Sequence, residues 1–378
     1  MLAQCRPLVE VLAEIPDCRK ARGKRHPLSA ILALVCVAVL CGYRSYSAVA
    51  HWARIYPEEL VRALGFTHPT PPCPATLCSV LHRLDRERVE AVLAAWAAEV
   101  LASLPAAAEE DEAIALDGKT LRGSRRQGAL NVHLLSALSH RLGLTVGQRA
   151  VDDKTNEIRA AVPLLRGLVV EGRIFTMDAL LTQRAIARTI IGAGGDYVMV
   201  VKDNQPQLLA DVQAVFSAPP PGDHQTIAQS VDCGHGRVER RRLTASSALA
   251  EYTDWPGLHQ VFRLERHTIL KKTGEVRGET VYGITSLAPS RADAQHLLRL
   301  TRQHWRIENR SHWVRDVTFD EDRSQVRRGS TPQVMAAMRN TAIGLLRACG
   351  ATNIAAACRH LAAQPASALA LLGISADN

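Results

Sequence analysis

None of the nine cysteines stands in a Cys-x-x-Cys pair, so zinc-ribbon and thioredoxin-like redox motifs are excluded. With an odd number of thiols and no secretory segment ahead of them, reduced cysteines in a cytosol are expected, without disulfides. Cys73, Cys78 and His82 loosely follow zinc-ligand spacing, but a fourth ligand is missing and no structural zinc is expected. The apolar run Leu28 to Cys41 is only 14 residues long. A bilayer requires about 20, so the run is expected to be a buried helix, and no membrane partner is foreseen. There is also no GxSxG elbow, no Walker loop, no convincing Cys-His pairing and no internal repeat, which removes serine and cysteine hydrolases, P-loop enzymes and solenoids.

What is present is a chain of 378 residues, 47% of them apolar, long enough for two or three domains with real cores. Lysine and arginine number 46 against 37 acids, a surplus that suits a polyanionic partner through counterion release. Up to about residue 104 the spacing predicts helices: Leu8 to Leu12, Leu28 to Cys41, Ser47 to Arg54, Glu58 to Leu64 and one long helix from Thr76 to Leu101. Arg19, Lys20, Arg22, Lys24, Arg25 and His26 cluster ahead of the apolar helix. This all-α module (residues 1–104) is followed by a linker, Pro105 to Glu112.

Beyond the linker, short β-type runs begin. Ile114 to Leu116, Asn131 to Ser139 and Leu144 to Val151 are expected as a three-strand meander, and Asp152-Asp153-Lys154 as a turn. A helix from Ile158 to Val169, a strand from Arg173 to Met177, a helix from Thr182 to Ile191 and a strand from Asp196 to Val201 complete the order βββαβαβ. Residues 203–287 are expected as a β-rich insertion, with strands at Val261 to Ile269 and Thr280 to Ile284 around a Lys271-Lys-Thr-Gly274 turn. One long helix is then expected from Arg291 to Val317, an acidic turn at Asp320-Glu-Asp322, a helix from Pro332 to Cys349, and a C-terminal helical tail over residues 351–378.

Three acids have a common logic. Asp117 follows the first strand, Asp178 follows the fourth, and Glu308 lies in the late helix. Acids at the ends of adjacent strands point into one crevice, and crowded carboxylates persist best around hard cations with oxygen ligands. Two Mg²⁺ ions at such a site would serve an in-line phosphoryl displacement, which needs no side-chain nucleophile. The plain alternative stays open at this stage, because Asp-Gly after a strand is also a turn signal.

Several blocks resemble a known family. They are Ile114-Ala-Leu-Asp-Gly-Lys-Thr-Leu-Arg-Gly-Ser124, Phe175-Thr-Met-Asp-Ala179 with Gln183, Tyr197-Val-Met-Val-Val-Lys-Asp-Asn-Gln205, His235-Gly-Arg-Val-Glu239, His304-Trp-Arg-Ile-Glu-Asn309 with His312-Trp313, Asp316-Val-Thr-Phe-Asp-Glu-Asp322 and Arg339-Asn340. The chain is similar in these blocks to DDE-type insertion-sequence transposases of the H-repeat-associated branch, and Ile15-Pro-Asp-Cys-Arg-Lys-Ala-Arg-Gly23 resembles that branch's N-terminal module. The resemblance implies an α/β, RNase H-like catalytic domain over residues 105–350, interrupted by the insertion. It puts the catalytic and metal-holding acids on Asp117, Asp178 and Glu308, with Mg²⁺ or Mn²⁺ as cofactor. At the offsets where related transposases carry Tyr, Arg and Lys around the Glu, this chain has Thr301, His304 and Arg315.

The implied partners are DNA, both the element's terminal inverted repeats and the target, and further copies of the chain in a dimer or higher oligomer. The expected compartment is a prokaryotic cytoplasm, at the nucleoid. Lys119, Arg122, Arg125 and Arg126 follow the first acid, and Lys202, Asn204 and Gln205 end the fifth strand, all candidates for DNA contact. Thr301, His304, Glu308, Ser311 or His312, and Arg315 step by three or four, so a regular helix would carry them on one face, with His304 and Arg315 contacting the phosphate backbone. Core packing is expected for Trp305 and Trp313, with base stacking as the alternative, and solvated charge for Arg237 to Arg242 and Arg323 to Arg328. Two other classes were weighed, a stand-alone RNase H-like nuclease and a catalytically inactive DNA-binding relative. Neither accounts both for acids at two strand ends and for the separation of 130 positions from Asp178 to Glu308.

Overall fold

In a computed structural model, which describes residues 5–56, 58–103, 111–125, 131–151, 157–234 and 236–375, the run from Leu28 is a helix whose every residue but Ser29 is buried. Arg126, the Asp152-Asp153-Lys154 turn, His235 and residues 105–110 of the expected linker lie outside the described residues. The helices are α1 (Leu8–Ala13), α2 (Leu28–Leu40), α3 (Tyr46–Ile55), α4 (Glu58–Ala63), α5 (Pro74–Arg83), α6 (Arg86–Ser103), α7 (Glu157–Arg166), α8 (Arg184–Gly192), α9 (Pro206–Ser217), α10 (Ala294–His304), α11 (Trp313–Val317), α12 (Thr331–Ala348), α13 (Ile354–Ala363) and α14 (Pro365–Leu371). The strands are β1 (Ala113–Leu121), β2 (Val132–Ser139), β3 (Thr145–Val151), β4 (Ile174–Met177), β5 (Asp196–Val201), β6 (Thr226–Gly234), β7 (Arg237–Ser246), β8 (Gln260–Leu270) and β9 (Val276–Thr285). No helix among the described residues is long and apolar enough to cross a membrane.

The chain forms two units. The first comprises residues 1–110, 118–160 and 307–378. Its core gathers α2 with Val49 and Trp52 of α3, Leu77 and Leu81 of α5, Trp96 of α6, Met335 and Met338 of α12, and Leu361 and Leu369 from the last two helices. A helix buried all round needs apolar neighbours on every side, and α2 obtains them from both ends of the sequence. Burying each of its Leu, Ile and Val side chains contributes about 1.5–3 kcal/mol. Strands β2 and β3 pair antiparallel, His133 opposite Val151, in the order β3-β2-β1. The helix expected from Thr76 to Leu101 is two helices, because the chain extends at Leu84 and the Asp85 side chain caps a new start by accepting from the N–H groups of Glu87 and Arg88.

The second unit comprises residues 111–117 and 161–306. Its strand order is β1-β4-β5-β9-β8-β7-β6, parallel between β1, β4 and β5 and antiparallel thereafter. The fold is therefore mixed α/β with a large mixed sheet. The insertion does not stand apart. Its strand β9 pairs with β5, Val198 opposite Thr285, and three more strands follow outward. Arg237 to Arg242 are part of β7, with Arg237, Arg240 and Arg242 exposed, as a solvated face predicts, and Arg241 bonded to Asp232 and Glu239. Helix α10 packs its apolar face, Leu297, Leu298 and Leu300, on this sheet.

The acidic turn Asp320-Glu-Asp322 also differs from expectation. Glu321 is buried between two arginines of the first unit, its carboxylate 2.6 Å from Arg315 Nη2 and 2.7 Å from Arg339 Nη1, with all three side chains at most 2% exposed. Arg323 pairs with Asp320, and Arg327 donates to the Gly123 carbonyl. Although burial works to raise it, the charges of Arg315 and Arg339 hold the Glu321 carboxyl below its ordinary value. Removing the charge leaves two buried guanidiniums facing each other. Glu321→Gln is therefore expected to cost about 3–5 kcal/mol, read as a lower denaturation midpoint in urea; an unchanged midpoint would contradict the ion-pair account.

Candidate active site at the strand ends

The register between β1 and β4 fixes the site. These parallel strands are paired up to Leu116 and Met177, both buried. The next residues on each chain are Asp117 and Asp178. Neighbouring strands lie about 4.8 Å apart, so these two half-buried residues stand next to each other where the β1–β4 pairing ends. Asp178 is the last residue before a short helical turn, Ala179–Leu181, and its Oδ1 accepts from the Leu180 N–H at 3.1 Å.

That turn is clamped from the sheet. The Thr182 hydroxyl donates to the Val200 carbonyl, the Asn204 amide to the Ala179 carbonyl at 2.6 Å, and the Gln205 amide to the Thr182 carbonyl at 3.0 Å. Asn204 and Gln205, expected as DNA contacts, thus hold the segment that carries Asp178. Lys202 is exposed and lines a cavity of about 130 Å³ beside Asp178, together with Thr176, Phe262, His304 and Trp305.

His304 is buried at the end of α10, and its Nδ1 hydrogen-bonds the Thr176 hydroxyl at 3.0 Å. Burial pushes its imidazole down to about 4. The phosphate contact expected of His304 is therefore corrected: a buried, neutral imidazole makes no charge-assisted bond to DNA. Trp305 is 49% exposed, contrary to the packing role expected for it.

In the first unit, β1 does not stop at Asp117 but continues to Leu121, so Asp117-Gly118 is not a turn. A side chain at Gly118 would displace two neighbours: a Cβ there would lie 2.5 Å from Glu157 Oε1 and 2.6 Å from His133 Nε2. These two buried side chains are bonded to each other at 2.5 Å, and His133 Nδ1 meets the Thr120 hydroxyl at 2.9 Å. This Thr120-His133-Glu157 chain was not foreseen, since nothing in the linear spacing joins residues 120, 133 and 157.

Lys119 is buried and donates to Asp316 at 2.6 Å. Burial raises the Asp316 carboxyl even against the pull of Lys119. Arg315 is fully buried against Glu321. Neither presents its charge outward, which corrects the DNA contacts expected of both. Arg122 and Arg125 are exposed and retain that possibility. Glu308 is exposed and opens a π-helical turn, Glu308–His312, that leads into α11. The single regular helix expected here is broken after His304 and widened at Glu308, so the three-and-four stepping does not define a common face. Trp313, at 58% exposure, is likewise not a core residue.

Among the described residues, no group of three or more His, Cys, Asp or Glu side chains is gathered for a metal ion. The strand-end pair supplies two oxygen-only donors, a set that fits a hard cation such as Mg²⁺ or Mn²⁺.

Residues 108–345 match the family model described as a transposase DDE domain, and residues 9–97 match the model of a module associated with it. The chain belongs to the DDE transposase family. Among its relatives, YncI of Escherichia coli O157:H7, provisionally named a transposase, is 30% identical over 90% of this chain and 87% of its own length. YhhI of Escherichia coli K12, provisionally named an H repeat-associated transposase, is 30% identical over 91% of each chain. A cryo-EM structure of a piggyBac transposase synaptic complex with hairpin DNA aligns with 96% of this chain and 78% of that one, at 10% identity and a TM-score of 0.46, a likeness too slight to argue from.

Because the folded His304 value of about 4 lies below the ordinary 6.5, the neutral ring contributes stability that is complete above about pH 6.5 and is lost as pH falls toward 4, on the order of 3 kcal/mol in all. Between pH 7 and pH 5, wild-type protein should lose about 2 kcal/mol more unfolding free energy than His304→Gln. Equal losses in urea titrations would show that His304 titrates normally.

Proposed function

We propose that the chain is a DNA-strand transferase of an insertion sequence. It would cut DNA at the element's ends to expose a 3′-hydroxyl and direct that hydroxyl at target DNA. The observation that carries this reading is the pair Asp117 and Asp178, delivered by parallel neighbouring strands in a chain of the DDE transposase family. The strand neighbours β3-β2-β1 and β1-β4-β5 support an RNase H-like catalytic domain, read here over residues 105–350, with the helical module 1–104 as its DNA-associated partner.

Asp117, Asp178 and Glu308 are the residues proposed to hold divalent metal. The third assignment is supported by the His304-to-Asn309 block and by the π-helical turn that starts at Glu308, a feature that recurs at functional sites. Divalent cations bound there would activate the attacking oxygen and stabilise the departing one. The clamp of Thr182, Asn204 and Gln205 fixes where Asp178 presents its carboxylate. Exposed Lys202, Arg122 and Arg125 would neutralise phosphates beside the scissile bond. Two DNA ends call for at least two protomers, working on nucleoid DNA.

Asp117→Asn is expected to lose cleavage and joining of element ends in Mg²⁺ by a factor of at least about 10³, while retarding the same DNA in a gel as wild type does. An Asp117→Asn protein that still cut and joined would sink the scheme.

A further inference from the structure

The first unit contains a second, larger cavity, of about 640 Å³, between the end of α2, the α11 segment, α12 and α13. Its lining includes Arg44, Arg347 and Arg359 together with Trp313, Val317 and Ile354. Among the described residues no acid lines it. Arg44 has a loose partner in Asp320 at 3.8 Å. Arg347 and Arg359 make no ion pair among the described residues.

Arg347 is held in an unusual setting. Its Nη2 donates to the Arg310 carbonyl at 3.2 Å, and its Nε is buried with no hydrogen-bond partner among the described residues. Gly143, at φ +68°, lets the two guanidinium side chains pack close; a Cβ there would lie 3.0 Å from Arg347 Cδ and 3.3 Å from Arg310 Nε. Burial first, and the Arg310 charge second, push the Arg347 guanidinium down to about 10. An anion entering the cavity would relieve that repulsion and give Arg347 a partner. Trp313 lines the same cavity and is 58% exposed, and an exposed indole in a cavity lined by arginines offers a stacking surface for a base whose phosphate the cations hold.

We propose that this cavity receives one unpaired nucleotide of a DNA strand, its base on Trp313 and its phosphate on Arg347 and Arg359. The proposal rests on the reading of the chain as DNA-acting. It also gives the strand a path past Glu308, because the adjoining residue, Asn309, lines the same cavity.

The test uses the full chain without divalent cations and fluorescence anisotropy with three probes: a short oligothymidylate, its abasic counterpart and a blunt duplex. Trp313→Ala should weaken the oligothymidylate about tenfold and leave the abasic strand unchanged, whereas Arg359→Ala should weaken both strands about tenfold. Duplex binding should stay within about twofold in either variant. Trp313→Phe, which keeps a ring, should retain most of the binding and so separates loss of stacking from a folding defect. If both alanine variants hold the oligothymidylate as wild type does while duplex binding persists, the nucleotide site is overturned and the DNA reading stands. A Trp313→Ala loss equal on both strands overturns the stacked base. Wild-type protein that binds none of the three overturns the DNA reading itself, and the inference with it.

Discussion

The parallel pairing of β1 with β4 is the constraint on which the candidate site depends. Hydrogen bonding sets the two strands in register as far as Leu116 and Met177, and a sheet spacing of about 4.8 Å leaves the following residues no freedom to separate. Two carboxylates fall at those positions. The turn after β4, which carries the second of them, is secured by Thr182, Asn204 and Gln205. A slip of one residue in either strand would turn one acid to the opposite face of the sheet, so the buried apolar set that fixes the register also fixes the site.

Charge in this protein is divided between structure and surface. Lys119 is spent on the half-buried Asp316, and Arg315 and Arg339 on the buried Glu321, while Arg122, Arg125 and Lys202 remain exposed. Arg347 belongs to neither group, being partly buried against another arginine, with no carboxylate partner among the described residues. The net positive charge therefore understates how locally it is used: a partner with phosphates meets a few outward guanidinium and ammonium groups, not the sum of the sequence. The same division explains why positions near the motif acids divide between contact and support.

Much of the fold could be read from periodicity. The buried α2, the β2–β3 pair, β5 and the hairpin around Lys271-Lys-Thr-Gly274 follow from apolar spacing and turn chemistry, which are local properties. What failed were places where local pattern and tertiary demand differ. The helix expected from Thr76 to Leu101 breaks where Asp85 caps a second start. The helix expected from Arg291 to Val317 breaks after His304 and widens at Glu308, so Trp305 and Trp313 moved from core to surface. Strands β6 and β7 are so polar that their pairing leaves little trace in a hydrophobic pattern.

The sequence by itself determined that this is a mixed α/β chain of the DDE transposase family, with Asp117, Asp178 and Glu308 as the acids to test, because ordered blocks of residue types survive in a linear string. Only the tertiary structure decided what the neighbours of those acids do. Whether Gly118 turns or yields space to His133 and Glu157, whether Asn204 meets DNA or the Ala179 carbonyl, and whether Arg315 faces solvent or Glu321 all depend on contacts between residues distant in sequence. The physical reason is that burial and pairing of a polar side chain are properties of the packed surroundings, which no local spacing encodes.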